Sequence, residues 1–211
     1  SIGLGDSKSF SIVEDDIGIY YDATRPSRLE NLLNNYDFKS DTKLIETAKE
    51  ALSLIKKYKI SKYNHALIIS KEFFKDSNRE NVLIIDQNKN DFSIKYGLAD
   101  KFSLNKIIDI AISENPNANF YLKLHPDVIN LKKETDIDFK KINQKCKIIS
   151  DDVNAISLLA NFKKVYTRTS QMGFEALMMG CECVVFGMPF YAGWGLTDDR
   201  VSCSRRNRKL S

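Results

Sequence analysis

From residue 82 onward the chain carries five short apolar runs, at 82–85, 119–124, 146–149, 164–167 and 182–186. Stretches with helical spacing, at 104–113, 153–161 and 171–179, lie between them. Alternation of strand with helix predicts a parallel, doubly wound, Rossmann-like α/β sheet over residues 81–200. The polar, charged stretch 126–144 is expected to hold one irregular surface helix.

Ahead of the sheet, Ser27 is expected to cap a helix running to about Tyr36. Ser40 or Asp41 should cap a second helix, in which Leu44, Ile45, Ala48, Ala51, Leu52 and Ile55 recur at helical spacing. Two helices in about 60 residues bury little, so 27–80 reads as a bridging or bracing segment. Residues 1–26 hold a Ser-rich turn and an expected short strand at 17–21.

The chain has 211 residues, 43% of them apolar, enough for a sizeable core. Cys146, Cys181, Cys183 and Cys203 form no CxxC pair, and the 181/183 spacing puts two thiols on one strand face. They read as reduced, buried cysteines. The two histidines lie far apart in sequence, so no metal site is expected. The formal charge of +4 is accounted for entirely by Arg205, Arg206, Arg208 and Lys209, so residues 201–211 read as a basic tail. It is either a solvated end or a contact for an anionic membrane surface or phospholipid. No run of 18 apolar residues suggests a membrane span, and no basic stretch leading into an apolar core suggests a signal peptide. The expected location is therefore cytoplasmic.

Ligands of open α/β sheets bind beyond the carboxyl ends of the strands. After the successive runs come Asp86-Gln87, His125-Pro126-Asp127, Arg168-Thr169-Ser170-Gln171, and a loop at 187–200 rich in Gly and aromatics. Thr169-Ser170 suits a helix N-cap and equally an anion site, because free N–H groups and hydroxyls gather there. Glu175 is the one charge in an otherwise nearly apolar helix, either a structural ion pair or a ligand contact. Asp86 and His125 each have a plain structural reading, as turn residue and as satisfied strand-end histidine.

The strings TSQMGFEALMMG and FGMPFYAGWGLTDDR resemble the capsule polysaccharide biosynthesis family of bacterial retaining β-Kdo glycosyltransferases. GLG, DDIGIYYDATRPSRLE, KYN, LIIDQ and KLHPD recur in the family's order, so the resemblance spans nearly the whole chain. It implies the donor-side half of a GT-B-like enzyme. In the family a first Rossmann-like domain precedes the GLG, so residues 1–26 are expected to be a remnant of, or linker from, a missing N-terminal domain.

The resemblance also implies roles. Lys123, His125, Thr169, Ser170, Gln171 and Glu175 would bind CMP-Kdo: His125 and the helix start the phosphate, Glu175 the ribose, Lys123 the sugar carboxylate. Retention calls for two displacements and a carboxylate nucleophile, for which Asp86 is the best match, with Gln87 holding it by hydrogen bonds. A carboxylate of the missing domain is available for acid/base work. Asp91 and Ser93 would lie near donor or acceptor, although Lys89-Asn90 stands where the family has a small pair. Tyr191 and Trp194 would either pack in their own loop or stack on sugar. No metal or other cofactor is implied, and the partners would be CMP-Kdo, a lipid-linked Kdo acceptor and the missing domain. The alternative is a non-catalytic CMP-binding or scaffold module in capsule assembly or export.

Overall fold

The computed structural model describes residues 12–62, 64–74, 78–88, 90–125 and 142–210. The GLG at 3–5 and all but the last three residues of the expected 126–144 segment lie outside them. Six strands pair in parallel in the order β3-β2-β1-β4-β5-β6. They are β1 Asn81–Ile85, β2 Asn119–Lys123, β3 Lys147–Ile149, β4 Lys164–Thr167, β5 Glu182–Val185 and β6 Asp198–Asp199. The helices are α1 Arg28–Asn35, α2 Thr42–Tyr58, α3 Phe92–Tyr96, α4 Leu104–Glu114, α5 Ala155–Leu159 and α6 Gln171–Met179. This is the doubly wound architecture that the alternation predicts.

Both faces of the sheet are covered. Val82, Ile84, Leu122 and Val184 pack with Ile107, Ile108 and Ala111 of α4, while Leu83, Ile85, Tyr121 and Val165 pack with Leu158, Leu159 and Phe162. Fully burying each such aliphatic side chain stabilises by about 1.5–3 kcal/mol. Coverage of both faces is why the strands read as unbroken apolar runs. Order runs outward from β1 in one direction and from β4 in the other, so the crevice between the ends of β1 and β4 is the switch point, the usual ligand crevice of open α/β sheets.

Several sequence expectations change. Helix 153–161 shrinks to α5, because the Asn154 side chain caps it by accepting the Ser157 N–H and Val153 is held in a parallel bridge to Leu67. Strand β6 was not foreseen; its two aspartates carry no apolar pattern. Residues 17–21 are turn rather than strand: the Asp15 carboxylate accepts the N–H groups of Ile17, Gly18 and Arg28, which folds the segment back on α1. Cys146, Cys181 and Cys183 are buried, but Cys203 is only half-buried. All four are free, and burial pushes the Cys183 thiol up to about 12.

The segment ahead of the sheet is anchored unevenly. Ser27 and Asp41 cap α1 and α2 as expected, yet α2 buries none of its residues. The anchorage comes later: Asn154 Nδ2 donates to the Lys59 carbonyl, and the Phe74 ring lies 5.4 Å from Tyr121 and 5.5 Å from Phe162.

The C-terminal basic run is not a solvated tail. Arg205 and Arg206 both pair with Glu30 on α1, at 2.7 and 3.0 Å, and Glu30 and Arg206 are buried. Arg208 donates to the carbonyls of Leu33, Asn34 and Tyr36. Unpaired α-helix carbonyls and one buried carboxylate make this basic sequence an internal strap, which withdraws most of its charge from a membrane surface. No helix among the described residues is long and apolar enough to cross a membrane.

Candidate active site

Beyond the ends of β1, β2 and β4 lies a cleft of about 660 Å³. Its lining includes Asp86, Gln87, Asp91, Ser93, Lys123, His125, Thr169, Ser170, Gln171 and Glu175, so the sequence-predicted donor and catalytic residues are brought together.

Asp86 follows β1 directly and is 6% exposed. The backbone N–H groups of Gln87 and His125 bond its carboxylate, and the Arg168 guanidinium stands 3.8 Å away. Burial outweighs these and raises its pKa above the ordinary carboxylate value. The ionised form is thus held at some cost, a condition common among reactive carboxylates. Lys123, at the end of β2, is also buried; its ammonium donates to the Leu124 carbonyl at 2.9 Å. Burial lowers its pKa against the opposing pull of Asp152, Asp151 and Asp86.

Gln87 holds Asp86 through its backbone N–H, while its side chain turns elsewhere. Its amide nitrogen faces Asp91 Oδ2 at 3.0 Å, Ser93 Oγ at 2.8 Å and Thr169 Oγ1 at 2.8 Å, while its carbonyl oxygen accepts the Thr169 N–H at 3.1 Å. Two amide protons shared among three oxygens make it a buried hub that joins the β1, α3 and β4 ends. Burial would raise Asp91, but hydrogen bonds from Gln87 and Ser93 hold it below the ordinary carboxylate value.

The hub also changes the reading of Thr169. Its N–H and hydroxyl are committed to Gln87 and Ser93, so it supports the helix start rather than offering free donors. The N-cap of α6 is Ser170, whose hydroxyl accepts the Met172 N–H. Glu175 is buried one turn into α6, where the Ser61 hydroxyl donates to it at 2.8 Å and the Lys62 N–H also bonds it. Burial raises its pKa despite both bonds.

Tyr191 and Trp194 pack inside their loop, 3% and 1% exposed, and neither lines the cleft. The Trp194 indole donates to the Phe190 carbonyl, and the Tyr191 hydroxyl donates to the Ser170 carbonyl at 2.5 Å. The loop therefore braces the N-cap. Gly173 makes room for this: a Cβ there would stand 2.2 Å from the Tyr191 hydroxyl oxygen. Gly173→Ala would gain about 1 kcal/mol of helix propensity, but overpacking costs about 1–3 kcal/mol and the hydrogen bond about 1 kcal/mol more. A net loss of roughly 1–3 kcal/mol is expected in urea unfolding, and a stabilised variant would remove the Tyr191 brace.

The model of the family described as capsule polysaccharide biosynthesis protein matches residues 8–76 and 69–211. The chain belongs to this family. It is 46% identical over 204 residues to the capsule polysaccharide modification protein LipA of Neisseria meningitidis, covering 95% of this chain and 29% of the relative. It is 39% identical to the lipopolysaccharide-processing protein LpsZ of Rhizobium meliloti, covering 100% of this chain and 48% of that one. Among solved structures it resembles the β-Kdo 2,4 transferase of Thermosulfurimonas dismutans KpsC, with a TM-score of 0.84 and 44% identity over 93% of this chain and 61% of that one. The β-Kdo 2,7 transferase of the same protein matches with a TM-score of 0.74 and 32% identity, over 93% and 59%. The chain thus spans less than two thirds of the length of these relatives.

In this capsule-family chain, cleft residues without an assigned role in the sequence reading include Tyr20, Tyr21, Ser61, Lys62, Asp152 and Phe190, with Arg168 just behind. Lys62 stands in the KYN string and the tyrosines in DDIGIYYDATRPSRLE, so family resemblance marked both places without giving them a task. Arg168 stood in view after β4, but only the fold sets its guanidinium against Asp86 and the Gln87 carbonyl, the latter at 2.8 Å.

Proposed function

We propose that this chain carries the donor side of a glycosyltransferase that moves Kdo from CMP-Kdo, with retention, onto a β-Kdo linker on the lipid anchor of a capsular polysaccharide. The observation that carries the reading is the meeting of Asp86, Lys123, His125, Ser170 and Glu175 in one cleft at the switch point of the sheet. Each suits one part of the donor. The Ser170 hydroxyl, the start of α6 and His125 suit the single phosphate of CMP. Glu175 suits the ribose hydroxyls, and Lys123 the sugar carboxylate.

In this mechanism Asp86 attacks the anomeric carbon as the bond to the CMP phosphate breaks, giving a glycosyl-enzyme; an acceptor hydroxyl then displaces Asp86 as the free carboxylate, its proton passing to a second carboxylate acting as base. Lys123, His125 and the helix start offset the charge that develops on the leaving phosphate, so the reaction asks for no metal. A scaffold role is favoured by an Asp86 buried in an ion pair away from His125. Asp86 is buried with Arg168 at 3.8 Å, but it lines the cleft and accepts the His125 backbone N–H, which supports the catalytic reading.

Calorimetric titration with CMP, compared with UMP and AMP, tests the donor reading. CMP should bind most tightly, and His125→Ala should weaken it by roughly 1–3 kcal/mol, the scale of a lost charge-assisted hydrogen bond. Equal affinity for all three nucleotides would overturn the donor assignment, and an unaffected folded variant would remove His125 from the site.

A further inference from the structure

We propose that Tyr20, Tyr21 and Phe190 form a carbohydrate subsite, an aromatic corner on the cleft wall that takes a pyranose ring of the acceptor. The proposal rests on the sugar-transfer reading above. All three rings line the cleft and are only partly buried. The Tyr20 ring stands 5.6 Å from Tyr21 at 84°, and 5.8 Å from Phe190 at 81°.

The corner suits a puckered ring better than a flat one. A planar base is best held between parallel rings, whereas rings set perpendicular to one another leave a corner with two differently directed faces. The chair of a pyranose fills such a corner, with its C–H bonds against the rings and its hydroxyls free to meet the tyrosine hydroxyls. Phe190 is backed by Phe174 at 5.0 Å and by Tyr191 at 5.3 Å, so its orientation is fixed from behind.

The corner is held together by the strap. Arg205 donates to the carbonyls of Ala23 and Arg25 beside the tyrosines, at 2.7 and 3.2 Å. Arg206 donates to the carbonyls of Pro189 and Ala192, which flank Phe190, at 2.5 and 2.9 Å. Both guanidinium groups bond the Glu30 carboxylate. One buried carboxylate therefore ties together two segments that lie far apart in the chain and carry the facing rings.

Saturation-transfer NMR with the methyl β-glycoside of Kdo, and with methyl β-glucoside for comparison, tests this alongside CMP calorimetry. The Kdo glycoside should receive saturation at its ring C–H protons, and Phe190→Leu and Tyr20→Leu should each weaken its binding by roughly fivefold while CMP affinity stays unchanged. Leucine keeps apolar volume and removes the aromatic face; thermal melting confirms folding, and either variant suffices should the other unfold. No saturation in the parent protein, or equal saturation in the folded variants, overturns the subsite. Loss of CMP affinity in the same variants also overturns it, making the rings a base platform. Glycoside contact that depends on the rings, in a protein with no preference for CMP, would retain the subsite and discard the donor reading.

Discussion

Replacing Asp86 with Asn should abolish Kdo transfer while changing CMP affinity by no more than about threefold, because a nucleophile meets the sugar and not the nucleotide. The amide matches the carboxylate in size but cannot form the glycosyl-enzyme. Gln87 and Arg168 keep their other bonds, since the Gln87 side chain is held by Asp91, Ser93 and Thr169 and Arg168 donates to the Gln87 carbonyl. The pH profile gives a second readout. Burial raises the Asp86 pKa, and the attacking form is the anion, so activity should fall as pH drops through a value raised above that of an ordinary aspartate. Stability runs the other way: between the ordinary pKa and the raised one, the unfolded chain releases a proton that the folded chain retains, so folding weakens as pH climbs through that window. Transfer assayed with CMP-Kdo on the full chain as the cell makes it decides the matter. An active Asp86→Asn enzyme, or a Kdo adduct trapped on another carboxylate, would move the nucleophile elsewhere.

The sheet was legible in the sequence because its strands are apolar on both faces and its helices begin at recognisable caps. Strand 164–167 and helix 171–179 were read to the residue, since Ser170 caps one end of α6 and Gly180, with φ of +84°, closes the other. Strand ends likewise announced most of the cleft, because topology places whatever follows β1, β2 and β4 in one crevice. What resisted reading was partnership. Nothing in the local sequence distinguishes a Gln that steadies its neighbouring Asp from one that reaches Thr169, 82 residues away. Tyr191 and Trp194 drew attention through size, yet size is also what a loop core needs, and the ring of that loop that lines the cleft is the half-buried Phe190. The basic run misled for the same reason: its charge was visible, whereas its counter-ion, Glu30, lay 175 residues earlier.

Removing that counter-ion should be the most destabilising single change outside the sheet. The side chains of Glu30 and Arg206 are 4% and 3% exposed, and Arg206 Nε meets Glu30 Oε2 at 3.0 Å. Breaking a buried pair by deleting one partner strands the other charge in a poor dielectric and costs about 3–5 kcal/mol, a large fraction of a typical domain's 5–15 kcal/mol. Arg205 adds less, because a third of its side chain is exposed and water screens it. Glu30→Ala should therefore lower stability in urea by about 3–5 kcal/mol, and by less in Glu30→Gln, which keeps an acceptor for one guanidinium. Proteolysis should then cut first within 201–210, because the strap is held to α1 through this carboxylate and through the Arg208 contacts. A double variant, Glu30→Leu with Arg206→Met, separates charge from packing: it should recover part of the loss, since replacing both members of a buried pair with apolar groups is often close to neutral. The Pro189 and Ala192 carbonyls still lose the Arg206 donor, and Arg205 its carboxylate. A loss under about 1 kcal/mol in Glu30→Ala would instead show that the pair is solvated and the basic run a tail after all.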